Sequence, residues 1–225
     1  MMLIKKFSNR PSALRDQEAG RRAFVLANGP SINDEDLSLL QGELVIGMNA
    51  STMLESQFGF VSSYYVLSDS RFISAPEKRR WATQDISSST HRVIRADLKN
   101  LDDSEFVGRT TYVPALSRNG FSLDLSFGFY YGCTTTMLAL QLAWHLGSRE
   151  VYLLGCDLRY PEENPRFYAE STPQIEDSFI SVQLSNIVNA AIVFEKSGGR
   201  LINCSSRSFL KPYLGYDRFE KVFHN

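Results

Sequence analysis

Four residues of the sequence, Asn28-Gly29-Pro30-Ser31, join an apolar run to an acidic stretch and could bind an anion. The run Ala23–Ala27 predicts a buried strand, and the residues after the turn predict an acidic, amphipathic helix. Glycine permits close approach of the backbone, and a helix N-terminus offers N–H groups to a phosphate or carboxylate. Asn28, Gly29 and Ser31 are therefore candidate ligand-binding residues, although a helix cap after a proline explains the same turn.

Polar side chains also follow three other apolar runs. Asn49 follows the second run, Ser68 and Asp69 follow the third, and Asp157 follows a later one. An amide both donates and accepts hydrogen bonds, as the edge of a nucleobase requires. Because ligands of parallel α/β sheets bind beyond the carboxyl ends of the strands, we expect these side chains to share one site.

Three hydroxyl residues, Thr134, Thr135 and Thr136, begin the most apolar helical segment of the chain, Thr135–Leu146. One hydroxyl is enough to cap a helix, and the helix dipole adds an attraction for negative charge. The run indicates a seat for a phosphate or carboxylate, and a cap with a spare threonine also accounts for it.

Short apolar runs alternate with helical patterns from Arg22 onward, which predicts an α/β fold with a mostly parallel sheet and helices on both faces. A second clear helix spans Ser178–Ser197 and ends at two glycines. The predicted strands are Ala23–Ala27, Leu44–Met48, Tyr64–Leu67, Arg92–Ala96, Thr111–Val113, Glu150–Leu154 and Arg200–Asn203.

Two segments lie outside this alternation. Residues 1–22 are polar and carry six basic side chains, which predicts a solvated lead-in, with contact to an anionic surface as the alternative. Residues 158–177 are rich in proline, tyrosine and acids without a clear period, which predicts a long functional lid. The rest, 23–225, is expected to form one nucleotide-binding domain.

Composition limits the classes of function. With 43% apolar residues, 22% charged residues and a net charge of −1, neither disorder nor a broadly basic nucleic-acid surface is indicated. An anionic ligand would therefore have to bind at a local site and not on a broadly positive surface. The three cysteines, Cys133, Cys156 and Cys204, lack the paired spacing of a zinc site and are interpreted as reduced core thiols.

The expected location is the cytoplasm, with contact to a membrane surface left open. The start has no apolar run of signal-peptide length, and no segment has the roughly 20 apolar residues of a membrane span. The tail FLKPYLGYDRFEKVF carries aromatic residues that would pack on the core, on a second subunit of a homo-oligomer or on a membrane.

Four blocks of the sequence resemble the bacterial sialyltransferases that use CMP-activated sialic acid. The blocks are AFVLANGPS, LVIGMN, GCTTTMLALQLAWHLGSREVYLLGCDL and FEKSGGRLINCSSRSFL, in the same order over about Ala23–Leu210. The sequence is also similar to a wider set of Rossmann-type proteins from polysaccharide and flagellin-glycosylation loci. The resemblance implies a Rossmann-like fold, a nucleotide-sugar donor, and a glycan or lipid-linked acceptor, without a metal cofactor.

The resemblance also implies roles for particular residues. The asparagine–glycine turn and the following asparagine would bind the nucleotide, with Ser68 or Asp69 beside them. The threonine run would approach the donor carboxylate and the cytidine monophosphate, while Tyr160 and Tyr168 would hold the leaving phosphate. The residues with these implied roles are Asn28, Gly29, Asn49, Ser68, Asp69, Thr134, Thr135, Thr136, Tyr160 and Tyr168.

One departure from the family concerns its catalytic histidine, which lies at the end of the lid. This sequence reads Ile180-Ser-Val-Gln-Leu there, and its three histidines lie elsewhere. If the chain transfers a sugar, Glu170, Glu176 or Asp177 must supply the base, or the acceptor is acidic enough to need little help.

Three functions compete on this sequence. The leading one is a glycosyltransferase that uses a CMP-linked acidic sugar. The second is an ATP-dependent pyrophosphokinase of the 6-hydroxymethylpterin type, in which Asp69 and Asp157 would hold Mg²⁺. The third is a sugar or nucleotide binder without catalysis, which the missing histidine favours.

Overall fold

A computed structural model describes residues 10–101, 106, 108–160, 165–169 and 177–224. Its strands are β1 (Ala23–Leu26), β2 (Leu44–Met48), β3 (Tyr64–Leu67), β4 (His91–Arg95), β5 (Thr110–Val113), β6 (Glu150–Leu154) and β7 (Arg200–Asn203). All seven are parallel and form one sheet in the order β5-β4-β3-β2-β1-β6-β7. The predicted α/β fold is confirmed, and every predicted strand is present within one residue of its expected bounds.

Helices cover both faces of this sheet. They are α1 (Thr52–Phe58), α2 (Arg71–Ser74), α3 (Pro76–Thr83), α4 (Thr135–His145), α5 (Ile180–Lys196) and α6 (Lys211–Leu214). The two helices expected from the sequence are α4 and α5, each slightly shorter than predicted. Both lead back to a parallel strand, so their N-termini lie at the carboxyl edge of the sheet.

The apolar runs of the strands are buried on both sides, as a sheet between two helical layers requires. In β1, Ala23 and Val25 pack with the α4 and α5 side chains, whereas Phe24 and Leu26 belong to the core on the opposite face. Residues of α4 such as Leu138 and Leu142 are fully buried. This packing holds the N-terminus of α4 over the carboxyl ends of the central strands.

The order in which strands are added to the sheet switches sides at β1. Strands β2 to β5 extend to one side of β1, and β6 and β7 extend to the other. In open α/β sheets the loops separate at such a point and leave a crevice beyond the strand ends. The loops after β1, β2, β3 and β6 therefore border the same crevice.

The acidic helix expected after the first strand is absent. Two short 3-10 helices, Pro30–Asp34 and Leu37–Leu40, occupy this region. Glu35 between them is extended, and the Asp36 carboxylate accepts the N–H of Ser38. A side chain that bonds its own backbone competes with a continuous α-helix, so the prediction was wrong here.

The described part of the lead-in contacts the domain. Leu14 is buried in the core beside α4, and the main-chain N–H of Asp16 donates to the carbonyl of His145. The aromatic residues of the tail differ in burial. Phe219 is buried against Phe24, whereas Tyr213 stays exposed.

In the described part of the chain, no helix is both long and apolar enough to cross a lipid bilayer.

A buried histidine makes the stability of the fold depend on pH. His91 begins β4, is buried, and its Nε2 lies 2.9 Å from Oγ1 of Thr111. Burial, with the positive charge of Arg109 as a second cause, lowers the pKa of His91 from 6.5 to about 4. The folded protein thus favours neutral His91. The stability that His91 contributes is fully present above its unfolded pKa of 6.5 and is lost as pH falls toward its folded pKa of about 4.

We expect the free energy of unfolding to fall by about 2 kcal/mol between pH 6.5 and 4 on account of His91 alone. Urea unfolding at several pH values measures this loss. The variant His91→Gln should show a smaller loss over the same range. An identical pH dependence in the variant would contradict the assignment.

Candidate functional site

Two adjoining cavities lie at the carboxyl edge of the sheet, and together we call them the cleft. The inner cavity, of about 90 Å³, borders the turn after β1, and the outer cavity, of about 480 Å³, opens toward the N-terminus of α5. Both are lined by Asn49, Asp69, Arg71, Thr134, Thr135, Tyr160, Arg166 and Gln183. The outer volume is in the range of small-molecule sites.

Asn28 lines the inner cavity, but its side-chain amide joins two loops. Its Nδ2 donates to the carbonyl of Met48 at 3.2 Å, and its Oδ1 accepts from the N–H of Ala50 at 3.1 Å. Its main-chain carbonyl accepts from the N–H of Phe167. The amide that was expected to bind a ligand therefore fixes the loop after β2 and places Asn49 in the cleft.

The turn after β1 is already occupied by a side chain of the protein itself, that of Asp157. The carboxylate of Asp157 accepts the main-chain N–H of Ser31 at 2.9 Å and also the Ser31 hydroxyl. Ser31 is fully buried and Asp157 nearly so. Burial raises the pKa of Asp157, and the Ser31 hydrogen bonds offset only part of that rise. The N–H that was predicted to be open to a ligand is therefore occupied.

Gly29 is required at this turn because the loop after β6 passes so close. Its φ is −72°, which any residue can adopt. A Cβ on Gly29 would lie 2.6 Å from the Asp157 carboxylate and from the carbonyl oxygen of Gly155. The close approach predicted for Gly29 is therefore an approach to this chain's own backbone and carboxylate.

The variant Gly29→Ala should lower the free energy of unfolding by about 2 kcal/mol, since the added methyl group must displace the Asp157 loop. Chemical denaturation measures the change. Gly198→Ala is the comparison for backbone strain without crowding, because the new Cβ meets no atom within 4 Å while φ is +77°. Unchanged stability in Gly29→Ala would contradict the crowding argument.

Asn49 combines two unusual features. Its φ is +53°, in the left-handed region that most side chains avoid. Its Oδ1 is buried and has no hydrogen-bond partner among the described residues. Its main-chain carbonyl accepts the Tyr65 hydroxyl at 2.7 Å, which holds the strained conformation. Buried polar atoms are rarely left unpaired, and the role of Asn49 as a ligand contact stays a prediction.

Left-handed backbone conformations cluster around the cleft. The described part of the chain has four non-glycine residues with positive φ, and Asn49, Cys133 and Leu158 are three of them. All three line the cleft. Such conformations persist where the surrounding structure enforces them, and they concentrate at binding sites.

The interpretation of the three cysteines as core thiols is wrong for Cys133. Cys156 and Cys204 are buried, but Cys133 is half-buried and lines the outer cavity. Burial raises the pKa of Cys133, so its thiol is neutral at physiological pH.

The threonine run is placed as expected at the N-terminus of α4, and each hydroxyl has a different position. Thr134 caps the helix, with Oγ1 accepting the N–H of Thr136 at 3.3 Å. Thr135 Oγ1 lies 2.9 Å from Ser68 Oγ, which ties α4 to the loop after β3. Thr136 is buried and its hydroxyl faces the sulfur of Met48. Thr134 and Thr135 line both cavities and Thr136 lines the inner one.

Asp69 is held by an arginine two residues later in the chain. Its carboxylate accepts from the main-chain N–H of Arg71 and from the Arg71 guanidinium, with the shortest contact at 2.7 Å. Burial alone would raise the pKa of Asp69, but these bonds outweigh it and the pKa lies below its usual value. Asp69 is thus a positioned, ionised partner of Arg71.

Sequence reasoning missed the main chemical feature of the cleft, which is a group of cationic side chains. We call this group the basic cluster: Arg71, Lys78, Arg95, Arg118, Arg159 and Arg166. The described carboxylates that line the cleft are Asp69, Asp157 and Asp177, so among the described lining residues the cations outnumber the carboxylates, although the chain as a whole has a net charge of −1.

The two candidate tyrosines occupy different environments. Tyr160 lines both cavities, its hydroxyl lies 3.2 Å from Asp177 Oδ2, and the Arg166 guanidinium lies over its ring at 4.7 Å. Burial raises the pKa of Tyr160, so its hydroxyl remains a donor at neutral pH. Tyr168 lines only the inner cavity, and its ring packs edge-on against Trp81.

Asp177 lies at the outer cavity beside the start of α5. Its Oδ2 accepts from Gln183 Nε2 at 2.7 Å, and its Oδ1 accepts from the main-chain N–H of Phe179 at 2.9 Å. Gln183 is buried and lines both cavities, at the place where the sequence lacks a histidine. The other two candidate bases, Glu170 and Glu176, lie outside the described residues.

The three histidines are distant from this chemistry. His91 and His145 are buried, and Nε2 of His145 bonds the carbonyl of Pro11. None of them lines the described cleft.

The carboxylates proposed for Mg²⁺ under the pyrophosphokinase alternative do not fit that ion. Asp69 is bound to an arginine and Asp157 to a serine, so each already has donors from this chain. The described residues contain no group of three acidic, histidine or cysteine side chains that could hold a metal. A hard cation would also have to displace the nearby guanidinium.

Comparison with known proteins supports the fold. No family model and no curated protein matches the sequence. Among solved structures, the MAf glycosyltransferase of Magnetospirillum magneticum AMB-1 matches with a TM-score of 0.58 and 18% identity over 89% of this chain. The chain spans only 36% of the length of that protein.

A second structural match covers nearly all of both chains. It is the sialyltransferase CstII of Campylobacter jejuni, solved with the substrate analogue cytidine-5'-monophosphate. The TM-score is 0.55 and the identity 14%, over 88% of this chain and 85% of that one. The chain thus has a Rossmann-like fold that resembles those of glycosyltransferases.

Proposed function

We propose that the protein is a glycosyltransferase whose donor is a CMP-linked acidic sugar, such as sialic acid. The observation that carries the proposal is the basic cluster that lines the cleft, which Thr134 and Thr135 at the N-terminus of α4 also line. Such a donor has a phosphodiester and a sugar carboxylate, and both need cationic or N–H partners once water is excluded. The described carboxylates in the cleft are engaged by this chain's own donors, which limits their repulsion of the ligand.

A rotation of the Asn49 amide toward the cleft, which Asn49 lines, would present its unpaired oxygen to cytosine. The exocyclic amino group of cytosine is a hydrogen-bond donor, and the buried Oδ1 of Asn49 is an acceptor without a partner in the described chain. Uracil has a carbonyl oxygen at that position and would leave Asn49 unsatisfied. This pairing therefore favours CMP over UMP.

The phosphate is expected at the N-terminus of α4. The helix dipole and the Thr134 and Thr135 side chains provide a positive, hydrogen-bonding surface there. Arg166 and Tyr160 line both cavities of the cleft as well. Together these groups would stabilise the charge that develops on the departing CMP phosphate.

The transfer step is an inverting displacement. The oxygen of an acceptor hydroxyl forms a bond to the anomeric carbon while the bond from that carbon to the phosphate oxygen breaks. The electron pair leaves with CMP, and the hydroxyl proton passes to a base. Among the described residues, Asp177 fits this role because it is a carboxylate at the outer cavity with its orientation fixed by Gln183.

The fold gives the proposal further support. One of its structural neighbours is a sialyltransferase solved with cytidine-5'-monophosphate, and another is a glycosyltransferase. At identities of 14% and 18%, this likeness concerns architecture, so the assignment of substrate rests on the cleft.

A thermal-shift survey of nucleotides tests the donor class. CMP and CDP should raise the melting temperature, whereas UMP and AMP at the same concentration should raise it less. Isothermal titration calorimetry with CMP and UMP then measures the preference directly. Equal stabilisation by all four nucleotides, or by none, would overturn the proposal.

A further inference from the structure

A second recess lies beside the cleft, on the N-terminal half of α5. It has a volume of about 370 Å³. Its described lining is polar but uncharged, and consists of Asn119, Gly120, Ser181, Val182, Ser185, Asn186 and Asn189. We call it the amide groove. Its chemistry differs sharply from that of the cleft, where six cationic side chains converge.

The floor of the amide groove is rigid. Asn186 is buried, its Oδ1 accepts the N–H of Gly120 at 3.0 Å, and its Nδ2 donates to Asn119 Oδ1 at 3.1 Å and to the carbonyl of Val182. These bonds fix the loop after β5 against α5. Because Asn119 uses its oxygen in this network, its own NH₂ group remains available to a ligand.

The wall of the groove carries open hydrogen-bonding groups. Ser181, Ser185 and Asn189 are spaced by four residues on α5 and are exposed. The described part of the chain provides no hydrogen bond for their side chains. A rigid floor with hydroxyl and amide groups along one wall suits a ligand with several neutral hydroxyl groups.

The groove and the cleft share their bordering elements. On α5, Gln183 lines the cleft while Val182 and Asn186 line the groove. On the loop after β5, Arg118 lines the cleft and Asn119 the groove. The groove therefore borders the same loop and the same helix as the cleft, in which Asp177 is the candidate base.

We propose that the amide groove binds a neutral glycosyl residue of the acceptor. This inference rests on the proposed glycosyltransferase function and adds the acceptor class. Neutral pyranose rings offer hydroxyl groups that both donate and accept, which matches the amides and hydroxyls of the groove. An acidic sugar would find no cation in the described lining, and a peptide would find only Val182 as an apolar contact.

Ligand-observed NMR on the full chain tests this assignment, with methyl β-galactopyranoside and methyl β-glucuronide as probes and CMP present. The neutral glycoside should bind and the glucuronide should bind more weakly. Ser185→Trp, which fills the groove, should weaken neutral glycoside binding by at least about 10-fold. Asn189→Ala should weaken it by roughly 5-fold, as expected for one lost hydrogen bond.

Ile192→Trp is the matched control, because Ile192 is 43% exposed on the same helix but outside the groove. Unchanged glycoside binding in Ser185→Trp, a preference for glucuronide, or no glycoside binding to the wild-type chain would overturn the inference. The CMP-induced melting shift, measured on the same proteins, reports separately on the proposed function. If glycoside binding depends on Ser185 but CMP does not raise the melting temperature, the groove is confirmed as a glycoside site and the donor proposal is refuted.

Discussion

Asp177→Asn is expected to reduce sugar transfer by about 10²- to 10⁴-fold, the usual contribution of general base catalysis. Asparagine has nearly the same shape as aspartate but cannot take the acceptor proton. It can still accept the N–H of Phe179, which Asp177 now binds at 2.9 Å. CMP affinity should therefore change little. Initial rates with a labelled donor, together with calorimetric titration of CMP, measure both quantities.

Asp36→Asn is a matched control for that experiment. Asp36 also accepts a main-chain N–H two residues later, at Ser38, but it is not among the described residues of the cleft. Its replacement should leave the transfer rate unchanged. A normal rate in Asp177→Asn would exclude Asp177 as the base and transfer the role to Glu170 or Glu176.

Arg71→Ala is expected to weaken CMP binding by about 30- to 100-fold. The change removes one cation of the basic cluster and also deprives Asp69 of the guanidinium that neutralises it, while the main-chain N–H of residue 71 still donates to Asp69. A charge-assisted hydrogen bond contributes about 1.5–3 kcal/mol, and the released carboxylate adds repulsion toward the phosphate. Calorimetric titration at two salt concentrations measures the affinity and its electrostatic part.

The double variant Asp69→Asn/Arg71→Ala separates these two causes. It should recover part of the lost affinity, because the repulsive carboxylate is gone. Arg200→Ala serves as the control, since Arg200 pairs with Glu150 at the amino edge of the sheet, away from the cleft. An equal loss of affinity in Arg200→Ala would show that net charge, and not the basic cluster, governs binding.

The architecture could be predicted because strands and helices alternate with clear hydrophobic periods. The strand ends then located the crevice correctly, and Asn49 and Thr135 both line it. The direction of the Asn28 and Ser31 side chains could not be predicted. Ser31 bonds Asp157, which lies 126 residues later in the chain, and only the folded sheet brings the two together.

The basic cluster was missed for a different reason. Its members are scattered singly along a chain whose net charge is −1, so neither composition nor a local charge run reveals them. A signal was nevertheless present. Arg71, Arg95, Arg118 and Arg159 each lie at the carboxyl end of a strand or within a few residues beyond it. Counting arginines at strand ends would have revealed the basic cluster.

The continuous helix expected after Pro30 failed because local polar contacts compete with helix propagation. The Asp36 carboxylate accepts the main-chain N–H of Ser38 and thereby caps a second short 3-10 helix. Amphipathic spacing alone does not record such a contact.

The central claim is that CMP binds at the carboxyl edge of the sheet, and a crystal structure of the protein soaked in CMP tests it most directly. We predict density for the phosphate at the N-terminus of α4, beside Thr134 and Thr135, with the cytosine amino group within hydrogen-bonding distance of Asn49 Oδ1. Density for CMP elsewhere on the molecule, or an empty cleft at saturating CMP, would contradict the account.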